Sequence, residues 1–342
     1  MRLSLIFIAL FWAGSALAQG FAGLGGSGAG FAEVKPGMVL DFPRDHGAHP
    51  AYRVEWWYLT ANLAGSDGRD YGVQWTLFRS ALAPETIDGW DDPQVWMGHA
   101  AITTPVHQFV TERLARGGIG QAGVVAEPFV AFIDEWRMQG LDPMHLTAGG
   151  PDFAFDLTLQ ADGPLVAQGQ GGYSVKSAQG QASLYYSQPN YQVSGTLTLP
   201  DGPVRVSGQG WLDREWSSQP LAPDQTGWDW VSLHFDSGEK LMGFQLRDGG
   251  AGFVSATWIS AAGEPEPMPT GALRMTPLEQ RQVAGRDLPV RWRLELPQRG
   301  LDITTEPVNP DAWMPTMVPY WEGPIRFAGS HTGRGYMELT GY

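Results

Sequence analysis

The chain has 342 residues, with 36 acidic side chains against 22 basic ones and a formal net charge of −14. A single barrel or sandwich needs fewer residues, so two domains are expected, and a hydrophobic content of 43% excludes wholesale disorder. The acidity excludes nucleic acid as a partner, because phosphate binding needs a basic face, and it equally excludes charge-driven docking on anionic lipid.

In chain order, residues 1–18 read as a signal peptide. Arg2 supplies a positive start, Leu3 to Trp12 an apolar stretch, and Ala16-Leu17-Ala18 a small-residue cleavage site that leaves Gln19 as the new N-terminus. The mature protein is therefore expected to be periplasmic or secreted, with no stable membrane insertion after cleavage. The chain has no cysteine, which excludes an N-terminal lipid-modified cysteine, disulfides, Fe–S clusters and thiol catalysis. Residues 19–38 read as a flexible Gly-rich lead-in, with ordered structure starting near Phe31 or Val39.

The rest reads as strands, in keeping with 45 Gly, 26 Pro and 12% aromatic residues. Tyr71, Val73, Trp75 and Leu77 share one parity, as do Phe153 to Leu159, Tyr191 to Leu199 and Val290 to Leu296. Each is a period-two pattern with one buried face. Turn clusters separate them, and Pro200-Asp201-Gly202-Pro203 is a strong hairpin signal. A short helix is expected only over Thr276 to Ala284.

An internal repeat organises these strands. Gly208-Gln209-Gly210-Trp211-Leu212-Asp213 returns as Gly333-Arg334-Gly335-Tyr336-Met337-Glu338. A second echo opens each half: Glu55-Trp56 starts a hairpin ending at Arg79, and Asp229-Trp230 starts one ending at Arg247. The reading is a duplicated all-β fold with an N-terminal barrel over 39–219 and a C-terminal barrel over 220–342. Each barrel closes by pairing its first and last strands, and the halves part near residues 217–223. The paired glycines are expected to permit a bend or close backbone approach.

Glu55, inside a Trp-Trp-Tyr strand, needs a partner if buried; it is either a second acid of a catalytic pair or the partner of an arginine such as Arg79 or Arg214. His99, mid-strand, is either a satisfied core residue or a base. His46-x-x-His49 lacks further ligands nearby, so no metal site is expected, and no cofactor either. The G-x-S-x-G elbow, H-E-x-x-H, S-x-x-K and phosphate-loop signatures are all missing, so nothing supports a triad hydrolase. Several of the 15 tryptophans sit in short motifs beside acids and glycines, where the mouth of a ligand pocket is expected.

Glu55-Trp56-Trp57-Tyr58, the strand from His99 to Thr103, Gly210 to Ser218, Gly227-Trp228-Asp229-Trp230 and the terminal Gly335 to Tyr342 resemble the AttH-like, lipocalin-like secreted proteins. These are related to carotenoid 1,2-hydratase (hydroxyneurosporene synthase). The resemblance runs from about residue 40 to the end and implies two tandem calycin-type antiparallel barrels. It also implies two functions. In the first, the protein binds a hydrophobic lipid or isoprenoid and serves an inner-membrane export complex as partner. In the second, it is a cofactor-free hydro-lyase that adds water to an isoprenoid C=C bond, with Asp213 as general acid.

Such an acid must be neutral when substrate binds, so it belongs in an apolar pocket that raises its pKa, with aromatic faces to stabilise the cation. The ligand-binding residues expected are Trp56, Trp57, Tyr58, Tyr185, Tyr186, Trp211, Trp216, Trp228 and Trp230. The chain departs from the hydratases at Trp211, at Arg214-Glu215 and at Tyr185-Tyr186-Ser187-Gln188. Arg214 beside Asp213 predicts an ion pair that would lower the acid's pKa, and this favours the binding function over the catalytic one.

Overall fold

The computed structural model describes residues 21–342, so the expected signal segment lies outside the described residues. Among these residues there are no α-helices, only three short 3-10 turns. The strands of the first sheet are β1 (Val54–Gly65), β2 (Asp70–Ala81), β3 (Gln94–Thr103), β4 (Gln108–Arg116), β5 (Ala122–Val125), β6 (Val130–Ile133), β7 (Trp136–Gln139), β8 (Met144–Gly149), β9 (Ala154–Ala161), β10 (Val166–Ala167), β11 (Tyr173–Val175), β12 (Ala182–Leu199) and β13 (Gly202–Ser217). The second sheet contains β14 (Gly227–Phe235), β15 (Lys240–Arg247), β16 (Phe253–Ile259), β17 (Pro265–Pro267), β18 (Arg274–Val283), β19 (Arg286–Leu296), β20 (Leu301–Pro307), β21 (Trp313–Met314), β22 (Tyr320–Gly329) and β23 (Gly333–Thr340).

The first sheet runs β4-β3-β2-β1-β13-β12-β9-β8-β7-β6-β5, and the second β17-β16-β15-β14-β23-β22-β20-β19-β18. All pairings are antiparallel. Each sheet curls into a nearly closed or half-closed barrel, and β4 comes back against β6 in the first. This is the lipocalin-like arrangement. As the repeat requires, the first and last long strands of each half are neighbours: Tyr58 pairs with Asp213, and Trp230 with Glu338.

The alternation along β1 explains both faces of the first barrel. Trp57, Leu59, Ala61 and Leu63 point inward and are fully buried with Tyr71, Val73, Trp75 and Leu77 of β2. Burying a side chain of this size contributes roughly 2–3 kcal/mol. Trp56, Tyr58 and Thr60 point outward, and β1 and β2 lie against β23 and β22 of the second barrel. Tyr58, Tyr185, Trp211, Trp230, Phe244 and Tyr336 form a separate apolar cluster between the barrels.

The glycine pairs allow close approach. A Cβ on Gly208 would lie 2.0 Å from the Asn62 carbonyl oxygen, and one on Gly333 2.1 Å from that of His234. The hairpin is present: Pro200-Asp201 makes the two-residue turn, and only Gly202, paired with Leu199, takes positive φ (115°).

The expected helix over Thr276 to Ala284 is instead β18 and the turn that follows it. Ala284 and Gly285 both adopt left-handed φ (51° and 78°), the geometry of a two-residue hairpin turn, and β19 pairs back along β18. Exposed polar residues at both parities hide the strand period there.

The Arg53 guanidinium donates to the carbonyls of Gly23, Leu24 and Gly26, and Leu24 packs on the cluster between the barrels.

Candidate functional site between the barrels

A cleft of about 340 Å³ opens between the two barrels, within the range of small-molecule sites. The outer faces of β1, β3 and β13 contribute Trp56, Tyr58, His99 and Asp213 to its walls, and the second barrel contributes Trp228, Trp230, Phe244, Tyr320 and Glu338. Of the expected ligand-binding residues, Trp56, Tyr58, Tyr185, Trp228 and Trp230 line it. Trp57 does not, because strand alternation turns it into the first barrel, where its indole donates to the His46 carbonyl. Trp216 stacks on His49 at 4.0 Å, and Tyr186 packs beside it with its hydroxyl 2.7 Å from His46 Nδ1. Trp211 lies behind the wall and donates its indole N–H to Asp213 at 2.7 Å.

Asp213 is 2% exposed, and the predicted ion pair with Arg214 is not formed. Its carboxyl oxygens accept from Ser187, Trp211 and, at 2.6 Å, the Tyr185 hydroxyl. Among the described residues no cation forms an ion pair with it. Burial pushes the carboxyl up, the three hydrogen bonds pull it down, and the result is about 7. Arg214, one residue on, points to the opposite face. There its guanidinium lies 3.8 Å over the Trp57 ring and 3.4 Å from Glu55.

Glu55 is thus the partner of arginines. It is fully buried, with Arg79 Nε at 2.5 Å and the His49 amide donating at 2.8 Å. Burial alone would raise its pKa. The Arg79 charge, the His49 hydrogen bond and the Arg214 charge outweigh that and hold it at about 2. The duplicated half repeats the device, with Arg247 ion-paired to the buried Asp229.

Glu338 was missed as a site residue although it stands at the Asp213 position of the repeat. It faces the cleft, partly accessible, and accepts from the Trp228 indole at 3.1 Å. Burial, opposed by that hydrogen bond and reinforced by the Asp213 charge, lifts it to about 7. Its neighbour across the strand pair, Glu322, is buried and raised well above the usual carboxylate range, first by burial and then by the Glu338 charge. The Tyr58 hydroxyl donates to Glu322 at 2.5 Å. Glu215, on the same face as Asp213, is paired with Lys176 at 2.7 Å.

His99 is 1% exposed and lies between Glu112 of β4, 3.1 Å from Nε2, and the Tyr320 hydroxyl of β22, 2.9 Å from Nδ1. Burial lowers its pKa, and the Glu112 hydrogen bond offsets this in part. Neither Glu112 nor Tyr320 carries a sequence motif; only the meeting of the two barrels puts them on His99. No cluster of three or more metal-ligating side chains occurs among the described residues.

The fold defines a tandem lipocalin-like protein with an apolar cleft between its barrels. The sequence profile of the AttH-like family matches residues 33–342, and the chain belongs to that family. An AttH-like crystal structure from Nitrosomonas europaea is 32% identical, covers 91% of this chain and 100% of its own, and superposes with a TM-score of 0.81. Kievitone hydratase from Nectria haematococca shares the fold at 17% identity and a TM-score of 0.67, over 91% of this chain and 96% of its own. No curated protein matches the sequence.

Proposed function

We propose that this protein is a cofactor-free hydratase acting on a hydrophobic alkene of isoprenoid type held between the barrels. The observation that carries the reading is Asp213, a buried carboxyl without a cation, on an apolar cleft and with a pKa of about 7. In its neutral form it donates a proton to one alkene carbon, and the π electrons form the new C–H bond. The adjacent carbon becomes a tertiary cation, which the faces of Trp56, Trp228 and Trp230 stabilise. Water adds to that carbon and loses a proton, giving a tertiary alcohol. Family membership and the fold shared with a protein named as a hydratase support the same reading. Export to the periplasm or beyond, proposed from residues 1–18, would place it where membrane isoprenoids are accessible.

The test is incubation with an acyclic isoprenoid alkene in ¹⁸O-labelled water. The wild type should yield labelled tertiary alcohol. Asp213→Asn should lower turnover by roughly 10²–10⁴-fold while tryptophan fluorescence still reports binding. Binding without any alcohol would instead establish the carrier function, in which the apolar lining holds a lipid for a membrane export system.

A further inference from the structure

Protonating an alkene leaves a second task, removal of a proton from the attacking water, and Asp213 has no free capacity for it in the same step. We propose that Tyr320, held by His99 and Glu112, is the catalytic base arm of this cleft, taking the water proton while passing its own phenolic proton to His99. The inference rests on the hydratase reading and deepens it.

The hydrogen-bond directions follow from charge. Glu112 is held below the usual carboxylate range, first by the His99 hydrogen bond, so it is ionised and only accepts. The Met317 backbone amide also donates to it at 2.9 Å and fixes it. His99 Nε2, 3.1 Å from that carboxylate, therefore carries the ring proton. In the neutral ring Nδ1 is then bare, and the Tyr320 hydroxyl at 2.9 Å donates to it. Tyr320 lines the cleft together with Asp213, and its oxygen, hydrogen-bonded also to Glu322, keeps acceptor capacity once its proton points to Nδ1.

Burial makes both ends competent at once. It favours neutral forms, so it keeps the acid Asp213 protonated and the base His99 deprotonated. In the reaction the water oxygen bonds to the cationic carbon, a water proton moves to the Tyr320 oxygen, and the phenolic proton moves to His99 Nδ1. The imidazolium formed is stabilised by Glu112. No free tyrosinate arises, which suits a phenol whose pKa burial raises well above its ordinary value. Proton return from His99 to Asp213 through solvent completes the cycle.

The groups facing His99 are Glu112 and Tyr320; Glu322 is hydrogen-bonded to the Tyr320 hydroxyl, and the Glu338 charge also acts on Tyr320. Those facing Asp213 are Tyr185, Glu215 and Glu338. Glu338 is the competing base. The charge left on Asp213 after protonation raises Glu338 further, so it holds its proton when a base is needed.

The experiment compares Tyr320→Phe, His99→Asn, Glu112→Gln and Glu338→Gln by alkene hydration across pH 4–9. In wild type kcat/KM should rise as His99 deprotonates and fall as Asp213 ionises near 7. Tyr320→Phe and His99→Asn should lose on the order of 10²–10³-fold in kcat with little change in KM, and should lose the acid limb. Glu338→Gln should keep it. The ¹⁵N spectrum of His99 in the resting protein should show a neutral ring protonated on Nε2 at pH 7, and Glu112→Gln should disturb that tautomer. Active wild type with Tyr320→Phe and His99→Asn within threefold of it and the acid limb intact would overturn the base arm alone, as would a His99 imidazolium at pH 7. A wild type that hydrates nothing overturns the hydratase reading and the base arm together.

Discussion

Replacing Glu55 with Gln isolates the ion cluster at the end of the first barrel. The carboxylate is fully buried against Arg79 and Arg214, each 1% exposed. Lowering a carboxyl from 4.5 to about 2 on folding is worth roughly 3 kcal/mol of preference for the ionised form, at about 1.4 kcal/mol per tenfold change in proton affinity. Stranding buried guanidiniums independently costs about 3–5 kcal/mol. The low end applies here. Arg79 keeps the carbonyls of His49 and Tyr52, and Arg214 keeps those of Gly47 and Trp56. A loss of about 3 kcal/mol in a chain of this size lowers the melting temperature by roughly 6–12 °C. The sign with pH is fixed. Because the folded pKa is depressed, the contribution is complete above 4.5 and disappears as pH falls toward 2. Thermal unfolding of both proteins from pH 7 to pH 3 should therefore show the gap widest at neutral pH and narrowing in acid. Melting temperatures within about 2 °C at pH 7, or a gap that widens in acid, would refute the reasoning.

Asp213 has the opposite sign: its folded pKa is raised from 3.8 to about 7, so its contribution is present below 3.8 and is lost as pH rises through 7. Wild type should lose up to about 4 kcal/mol between pH 4 and pH 8 that Asp213→Asn does not lose, measured by urea unfolding at both pH values; parallel pH slopes would contradict this. Gly333→Ala places a Cβ 2.1 Å from backbone, which no rotamer change relieves, and should cost about 2 kcal/mol in urea unfolding; unchanged stability would show that β23 shifts freely. Export should remove residues 1–18, so N-terminal sequencing of the periplasmic protein should begin at Gln19; retention of Arg2 would contradict that.

Much of the architecture was legible because short-range rules set it. Tyr71, Val73, Trp75 and Leu77 could face one core only if the chain alternated, and the G-x-G echoes marked the two strands that pair with β1 and β14. The Glu55–Arg79 pair was one of two readings that the cost of burying a lone acid left open, and Asp229–Arg247, which the sequence marked only as the ends of an echoed hairpin, repeats it. Glu338 was also within reach, since it occupies the place of Asp213 in the second copy. Thr276 to Ala284 misled because an exposed, mostly polar strand carries no apolar period.

The surroundings of Asp213 were a different matter. Arg214 is its neighbour in sequence but lies on the other side of the sheet, so a charge one residue away proved remote, while Tyr185 and Ser187, two strand positions apart on β12, supply two of its three hydrogen bonds and Trp211 the third. His99 could be named from the sequence, but its partners could not. Strand period, hairpins and duplication belong to the sequence, because each depends on local geometry, whereas which buried acid meets an arginine depends on the side of the sheet it faces. The cleft, the raised Asp213 and Glu338, and the Glu112–His99–Tyr320 chain were decided only when two barrels packed face to face. Desolvation, and contacts between strands more than 200 residues apart such as His99 with Tyr320, have no local signature.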